Sequence, residues 1–347
     1  AATPTSRSAA PTSGSSSACP DAPAVRRHAF IPYALAFREP VATGAGAWTV
    51  RRGAWLRAEG DDGRVGFGEA APLGEVTAES LAAALEAGPY RDAAFDLAAL
   101  DLEAQRFGRP LAWVLCDSPS PSVAVNALLF AAGVEACAGE AARAVAAGFR
   151  TLKMKVGAAP PDEDIARVLA VRARVGDGVA LRLDANGAWD EATALRVLAA
   201  VESCDIEYVE DPVAGDLRAV GRHANVPVAA DVRTLAEGRE VVRSRSADFL
   251  VLKPMALGGI RPSRELAVEA IGAGLGVVVT SILESPVGVA GALHLAASLP
   301  GPGRAHGLAT AGLLEEAPVE GLDPPAGGEM RLPDSPGLGV RLREREP

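Results

Sequence analysis

Lysine is confined to three positions in this sequence. Lys153 and Lys155 lie two residues apart within residues 151–157, and Lys253 lies in the apolar run 249–255, whereas every other basic residue among the 34 lysines and arginines is arginine. Residues i and i+2 of a β-strand share a face, so Lys153 and Lys155 are predicted to project together. An amine can be tuned to act as a general base near neutral pH, whereas a guanidinium stays protonated. We therefore interpret the three lysines as candidate catalytic groups.

Three carboxylates follow apolar runs that are typical of neighbouring strands. They are Asp184, Glu210 and Asp231. A single acid at a strand end is more often a helix cap or the partner of an arginine, but three in succession, flanked by lysines, favour a shared site. Carboxylates without a thiol or imidazole form a hard-oxygen site that suits Mg²⁺. Amines on two sides of a metal-bound substrate carboxylate are arranged to move a proton at the carbon alpha to that carboxylate. The metal stabilises the enolate that forms.

The segments that must position these residues are short apolar strands followed by alanine-rich helical stretches. The predicted strands are 124–129, 151–156, 180–184, 206–210, 227–231, 249–253, 276–281 and, more weakly, 306–310. Their spacing is that of successive βα units with right-handed crossovers. The series predicts an α/β fold of the TIM-barrel type, in which reactive groups gather at the C-terminal ends of the strands.

The regions on either side of the barrel are predicted to have other structures. Residues 1–22 are expected to form a disordered tail, 23–118 an α+β domain, 119–315 the barrel, and 316–347 a segment that returns to the first domain. The α+β domain has strand patterns at 26–31, 48–59 and 65–69 and helical patterns at 79–87 and 93–107. Residues 39–46 are expected to be a mobile loop, and 330–343 a pair of strands.

Composition limits the partners that suit this chain. A net charge of −10 and a pI of about 5.1 argue against nucleic acid or an anionic membrane surface. The four cysteines are scattered, with no paired spacing, which is typical of reduced thiols in a cytoplasmic protein. Neither a secretory signal nor an apolar run long enough to span a bilayer is evident. We expect a cytoplasmic protein, monomeric or homo-oligomeric, with a small-molecule carboxylate as its partner.

Further motifs carry a resemblance to a known family. They are Gly-Phe-Gly-Glu-Ala-Ala-Pro-Leu at 66–73, Thr-Ser-Ile-Leu-Glu-Ser at 280–285, His-Gly-Leu-Ala-Thr at 306–310 and Pro-Gly-Leu-Gly at 336–339. Together with the lysines and carboxylates, they make residues 25–345 resemble the muconate-lactonising subgroup of the enolase superfamily. The resemblance implies a modified (β/α)7β barrel with an α+β capping domain built from the N-terminal part and the C-terminal tail.

Within that subgroup the sequence is most similar to the o-succinylbenzoate synthases. The resemblance implies Mg²⁺-dependent dehydration of 2-succinyl-6-hydroxy-2,4-cyclohexadiene-1-carboxylate to o-succinylbenzoate in menaquinone biosynthesis, with Mn²⁺ as a substitute metal. By analogy, Lys155 is the base and then the acid that assists departure of hydroxide. Lys253 stabilises the enediolate by cation–π contact with the ring. Lys153 has a supporting role in the same site. The implied metal ligands are Asp184, Glu210 and Asp231, and the implied substrate-binding residues are Ser281 and Asn186.

Other reactions of the same superfamily stay open at this point. An N-acylamino-acid racemase would use Lys155 and Lys253 as a two-base pair. Dipeptide epimerase is disfavoured because residues 308–310 read Leu-Ala-Thr where those enzymes often have Asp-x-Asp, and muconate cycloisomerase is disfavoured by the compact length. A non-catalytic binding barrel would not need three amines around a metal. One departure concerns the metal site: Val232 follows Asp231 where many relatives have glutamate, so the third ligand depends on Asp231 alone.

Overall fold

The computed structural model describes residues 25–43, 46–301 and 303–343, so the predicted tail at 1–22 lies outside the described residues. The strands are β1 (Val25–Thr43), β2 (Gly46–Gly60), β3 (Val65–Ala70), β4 (Ser122–Ala124), β5 (Ala127–Leu129), β6 (Thr151–Lys155), β7 (Ala180–Asp184), β8 (Ile206–Glu210), β9 (Val228–Val232), β10 (Phe249–Leu252), β11 (Gly276–Val279), β12 (Val319–Glu320), β13 (Glu329–Arg331) and β14 (Arg341–Leu342). The helices are α1 (Ala78–Glu86), α2 (Pro89–Phe107), α3 (Ala112–Leu115), α4 (Val134–Ala146), α5 (Pro161–Val175), α6 (Glu191–Ala200), α7 (Arg218–His223), α8 (Leu235–Ser244), α9 (Ile260–Gly272) and α10 (Pro286–Ala297).

Strands β5 to β11 form one parallel sheet in which neighbours along the chain are neighbours in space. The sheet is closed by residues 306 and 307, because the backbone of His306 bridges Val125 and that of Gly307 bridges Thr280. The predicted α/β barrel is therefore confirmed, with strand ends close to those predicted. The eighth strand is reduced to these two bridges.

Helices such as α5 and α8 pack one apolar side on the outside of the barrel, as amphipathic helices do, whereas α10 is buried on all sides between the barrel and the first sheet. Aromatic and aliphatic side chains fill the interior below the mouth, among them Tyr208, Phe249 and Val251. The barrel centre is thus a packed core, and its C-terminal rim is left for a site. Within the described ranges, no helix is long and apolar enough to cross a membrane.

The first three strands form a separate antiparallel sheet, with α2 packed against β3. The prediction of a mobile loop at 39–46 is wrong for the part that is described. After a register shift between Ala36 and Val41, the β1–β2 ladder resumes, with Val41 opposite Trp48 and Thr43 opposite Gly46. Because these backbone groups pair with each other, β1 continues to Thr43 and β2 begins at Gly46.

The C-terminal segment does not form the strand pair predicted for residues 330–343. Instead β13 pairs with β4, and β14 pairs with β12. Between them the chain contacts α2, where the Leu338 amide donates to Asp101 Oδ1 at 2.7 Å. Gly337 has φ +84°, and a Cβ there would lie 2.2 Å from Asp101 Oδ1, so glycine is required for this approach. Each short strand is stabilised by a distant partner, which is why the two do not pair with each other.

Candidate active site

A cavity of about 490 Å³ opens at the C-terminal ends of the barrel strands. All eight residues predicted from the sequence to form the site line it: Lys153, Lys155, Asp184, Asn186, Glu210, Asp231, Lys253 and Ser281. They come from strands β6 to β9 and from the loops that follow β7, β10 and β11. The parallel register explains this convergence, since it places Lys155, Asp184 and Glu210 at one level on successive strands.

Lys153 lies between two of the carboxylates. Its Nζ is 2.6 Å from Glu210 Oε2 and 2.9 Å from Asp184 Oδ2, and its side chain is only 12% exposed. Burial acts to lower the pKa of Lys153, but the two carboxylates outweigh burial and raise it well above the ordinary value. A raised pKa keeps Lys153 protonated near neutral pH, so its ammonium can balance the two carboxylates but is poorly suited to act as a base.

Lys155 is the most open of the three amines, with 36% of its side chain exposed. Its Nζ donates to Asp184 Oδ2 at 2.9 Å and to Asn186 Oδ1. Asn186 itself has a left-handed backbone conformation, with φ +48°, and its backbone N–H donates to Asp184 Oδ1 at 3.2 Å. The turn after β7 therefore orients the Lys155 amine at the edge of the cavity.

Lys253 follows β10 on the opposite side of the barrel mouth. Its Nζ donates to Asp231 Oδ2, and its side chain is 17% exposed. The other oxygen, Asp231 Oδ1, is buried and has no hydrogen-bond partner among the residues that the structure describes. Because β6 and β10 are four positions apart in the order of the sheet, Lys155 and Lys253 approach the cavity from opposed faces.

The three carboxylates differ in their electrostatic surroundings. Burial acts to raise the pKa of Asp184, but Lys153 and Lys155 outweigh it and hold that pKa below its usual range. For Glu210, burial and the neighbouring Asp184 charge raise the pKa. Burial also raises the pKa of the adjacent Asp211, to about 7. The site thus concentrates negative charge that needs cations beside it.

The three carboxylates provide donors that suit a metal ion, although they do not converge on one point. Across residues 25–43, 46–301 and 303–343, no three acidic, histidine or cysteine side chains stand close enough together to enclose an ion. The chemistry nevertheless fits Mg²⁺, because Asp184, Glu210 and Asp231 provide only oxygen donors and their side chains are each 2% exposed. The unpartnered Asp231 Oδ1 is the kind of atom that a cation satisfies.

Several lining residues were missed by the sequence reasoning. Val41 and Trp48 reach the cavity from the β1–β2 hairpin, and Leu73 from the loop after β3. Their contribution depends on how the first sheet docks, which no local pattern reveals. Arg233, the first residue after β9, adds an exposed guanidinium to the rim. A signal for it was present, since it immediately follows the unusual Val232.

Glu69, within the motif at 66–73, has a structural role that the sequence did not indicate. Its buried carboxylate accepts hydrogen bonds from the Ser285 amide at 2.9 Å, the Ser285 hydroxyl at 2.6 Å and the Gly288 amide at 2.8 Å. The Tyr33 hydroxyl donates to it as well. A carboxylate at a helix N-terminus satisfies free amides and the helix dipole, so Glu69 binds the first sheet to the start of α10.

Comparison with known proteins agrees with this geometry. The family model "Enolase C-terminal domain-like" matches residues 136–346. The o-succinylbenzoate synthase of Thermobifida fusca is 38% identical over 289 residues, covering 80% of this chain and 80% of that protein. The N-succinyl-L-Arg/Lys racemase of Bacillus cereus is 27% identical over 355 residues, covering 89% and 93%. The solved dipeptide epimerase from Enterococcus faecalis V583, complexed with Mg and L-Leu-L-Tyr, has a TM-score of 0.84 at 28% identity, covering 91% of this chain and 99% of that one.

The fold and these matches define a barrel enzyme, and the chain belongs to the enolase superfamily. The family resemblance predicted from the sequence is therefore confirmed. The three relatives are a synthase, a racemase and an epimerase. Membership in the superfamily alone does not define which reaction this chain catalyses.

Proposed function

We propose that this enzyme is an o-succinylbenzoate synthase. It would dehydrate 2-succinyl-6-hydroxy-2,4-cyclohexadiene-1-carboxylate in menaquinone biosynthesis, in the cytoplasm, with Mg²⁺ or Mn²⁺ bound by Asp184, Glu210 and Asp231. The similarity to the Thermobifida fusca enzyme supports the reaction. The capping domain, 23–118 with 316–347, would close the barrel domain at 119–315 over the substrate.

The observation that carries this proposal is the difference between the two opposed lysines. Lys155 is open to the cavity and is oriented by a neutral amide, Asn186, as well as by Asp184. Lys253 is more buried and contacts the Asp231 carboxylate, an arrangement that suits a fixed positive charge. Dehydration needs one amine that exchanges protons and one cation, whereas racemisation needs two amines that both exchange protons.

The residues then have distinct roles in the proposed reaction. Lys155 Nζ removes the proton from the carbon alpha to the ring carboxylate, and negative charge develops on the carboxylate oxygens. Lys253 stabilises that charge from the opposite face. Mg²⁺, when bound, supplies Lewis-acid stabilisation of the same charge. Lys155 returns its proton to the departing hydroxyl, so that the C–O bond breaks, water leaves and the ring becomes aromatic.

Two further residues are suited to binding the succinyl substituent. The Ser281 hydroxyl lies in the cavity wall, 2.7 Å from the Thr310 hydroxyl. Arg233 offers a guanidinium at the rim, and arginine pairs with carboxylates in a two-point geometry. We assign the carboxylate of the succinyl substituent to the part of the cavity lined by Arg233 and Ser281.

N-succinylamino-acid racemisation is the second candidate, since the same lysines face each other across the cavity and a racemase is among the relatives. The two reactions are separated by offering purified protein the cyclohexadiene substrate and an N-succinyl amino acid in parallel with Mg²⁺. We expect a higher kcat/KM for dehydration. A higher kcat/KM for racemisation would overturn the assignment in favour of the racemase.

The metal ligands are tested in the same assay. Asp184→Asn, Glu210→Gln and Asp231→Asn should each abolish turnover, because a site of oxygen donors loses affinity when a charge is removed. Turnover of the unmodified enzyme should also stop in excess chelator and return with Mg²⁺ or Mn²⁺. Full activity in chelator would contradict the metal assignment.

A further inference from the structure

Arg51, on β2, is buried to an unusual degree for an arginine. It is 1% exposed and is among the largest fully buried side chains of the described residues, whereas the next residue, Arg52, is exposed. Burying a guanidinium is unfavourable unless its donors are satisfied. Its hydrogen bonds therefore indicate what the buried charge is for.

Those hydrogen bonds go to backbone carbonyls of three segments. Nε donates to Leu283 O at 3.2 Å, Nη2 to Ala71 O at 2.7 Å, and Nη1 to Pro72 O at 2.8 Å. Nη1 also donates to Arg52 O at 3.1 Å. The planar fork of a guanidinium can serve several acceptors at once, which a single ammonium cannot do.

The segments that Arg51 joins form one wall of the active-site cavity. Leu283 lines the cavity, and Leu73 does so immediately after Pro72. The guanidinium also stacks on the Trp48 ring at 5.4 Å, and Trp48 lines the cavity from the hairpin. One buried side chain thus contacts the hairpin, the loop after β3 and the loop after β11.

Leu283 gives a second, independent sign that this wall is held in place. Its φ is +65°, a conformation that side chains other than glycine rarely adopt. Its carbonyl accepts from Arg51 and its amide donates to Ser281 Oγ at 3.3 Å. Residues in strained conformations persist where the surroundings enforce them, and they gather at functional sites.

We propose that Arg51 is a positioning residue that determines the shape of the wall formed by Trp48, Leu73 and Leu283. This wall selects among substrates by the substituent that lies remote from their reacting carbon. That consequence rests on the proposed function, which places the reacting carbon between Lys155 and Lys253. Arg51 does not touch the lysines or carboxylates described above. Its loss should therefore weaken substrate binding and discrimination more than the chemical step.

Hydrogen–deuterium exchange tests the positioning role without any substrate. Arg51→Met keeps a long side chain without donors, and Arg52→Met is the matched control on the neighbouring, exposed position. Amides in residues 70–74 and 281–285 should exchange at least about tenfold faster in Arg51→Met than in the unmodified protein, because local opening becomes easier. The control should match the unmodified protein. Unchanged exchange in Arg51→Met would overturn the inference.

Kinetics test the consequence for binding, using whichever of the two parallel substrates the unmodified enzyme turns over. KM should rise by about tenfold or more in Arg51→Met, whereas kcat should fall by less than about threefold. Arg51→Lys should have a KM between those of the unmodified enzyme and Arg51→Met. If Arg51→Met does not fold, both the exchange and the kinetic measurements are made on Arg51→Lys instead. A fall in kcat with unchanged KM would contradict the assignment. If the unmodified enzyme acts on neither substrate, the proposed function fails, but the exchange experiment still decides the role of Arg51.

Discussion

Lys153 and Lys155 should differ sharply in their importance for stability, although they lie two residues apart on one strand. The perturbation is replacement of each by methionine, which keeps a long side chain and removes the ammonium. In Lys153→Met, the Glu210 and Asp184 carboxylates lose the cation that contacts both of them. In Lys155→Met, Asp184 keeps Lys153 as its partner.

The expected magnitudes follow from burial. Lys153 is 12% exposed and its two partners are 2% exposed, so its removal breaks a buried ion pair, a loss of about 3–5 kcal/mol. Lys155 is 36% exposed, and water screens its ion pair. Its removal should lower the free energy of unfolding by less than about 1 kcal/mol. Turnover should depend strongly on Lys155, by at least about a hundredfold, as for a positioned general base.

The assay is urea unfolding, monitored by circular dichroism, in the presence of chelator. The two variants are compared by their unfolding midpoints, provided that the free energy of unfolding depends equally steeply on urea concentration in both. Adding Mg²⁺ should restore part of the stability of Lys153→Met, because a bound cation compensates the carboxylates that Lys153 leaves and favours the folded state. Equal unfolding midpoints for the two variants, or a reversed order, would refute this reasoning. A stability of Lys153→Met that does not respond to Mg²⁺ would count against the metal site.

Two further predictions concern the lysine roles and the pH dependence of stability. Lys155→Arg should lose at least about a hundredfold in kcat, because a guanidinium cannot act as the base. Lys253→Arg should keep measurable turnover, because its positive charge remains. Equal and complete loss of turnover in both variants would favour a two-base racemase. The second prediction rests on His294, which is fully buried and accepts from the Ala112 amide, and whose pKa burial lowers to about 4. Between that value and an unfolded pKa of about 6.5 the unfolded chain binds more protons than the folded chain. The free energy of unfolding should therefore decrease as the pH is lowered from about 6.5 to about 4, by up to about 3 kcal/mol. His294→Gln retains an acceptor and a donor and should flatten that slope in urea titrations at pH 7 and pH 5, and an unchanged slope would show that other groups control it.

Much of the candidate site could be predicted because it depends on local sequence. A strand alternates its faces every two residues, so Lys153 and Lys155 had to project together wherever the strand lay. Short apolar strands separated by helical stretches predict a parallel barrel, and a parallel barrel brings its strand ends together. The convergence of Asp184, Glu210 and Asp231 therefore followed from their places at strand ends.

The tertiary structure alone decided which of these groups touch and what covers them. Lys153 rather than Lys155 bridges two carboxylates, because it lies two residues before the end of β6 and so deeper in the mouth, where burial strengthens the ion pairs. The wall held by Arg51 joins residues 21 and 232 positions apart in the chain, and Glu69 meets the start of α10 across 216 positions. No local pattern encodes such pairs, and those that join Arg51 to Leu283 and Glu69 to α10 form only after the first sheet packs on the barrel. For the same reason, β13 and β14 each pair with a remote strand although their sequence suggested that they pair with each other.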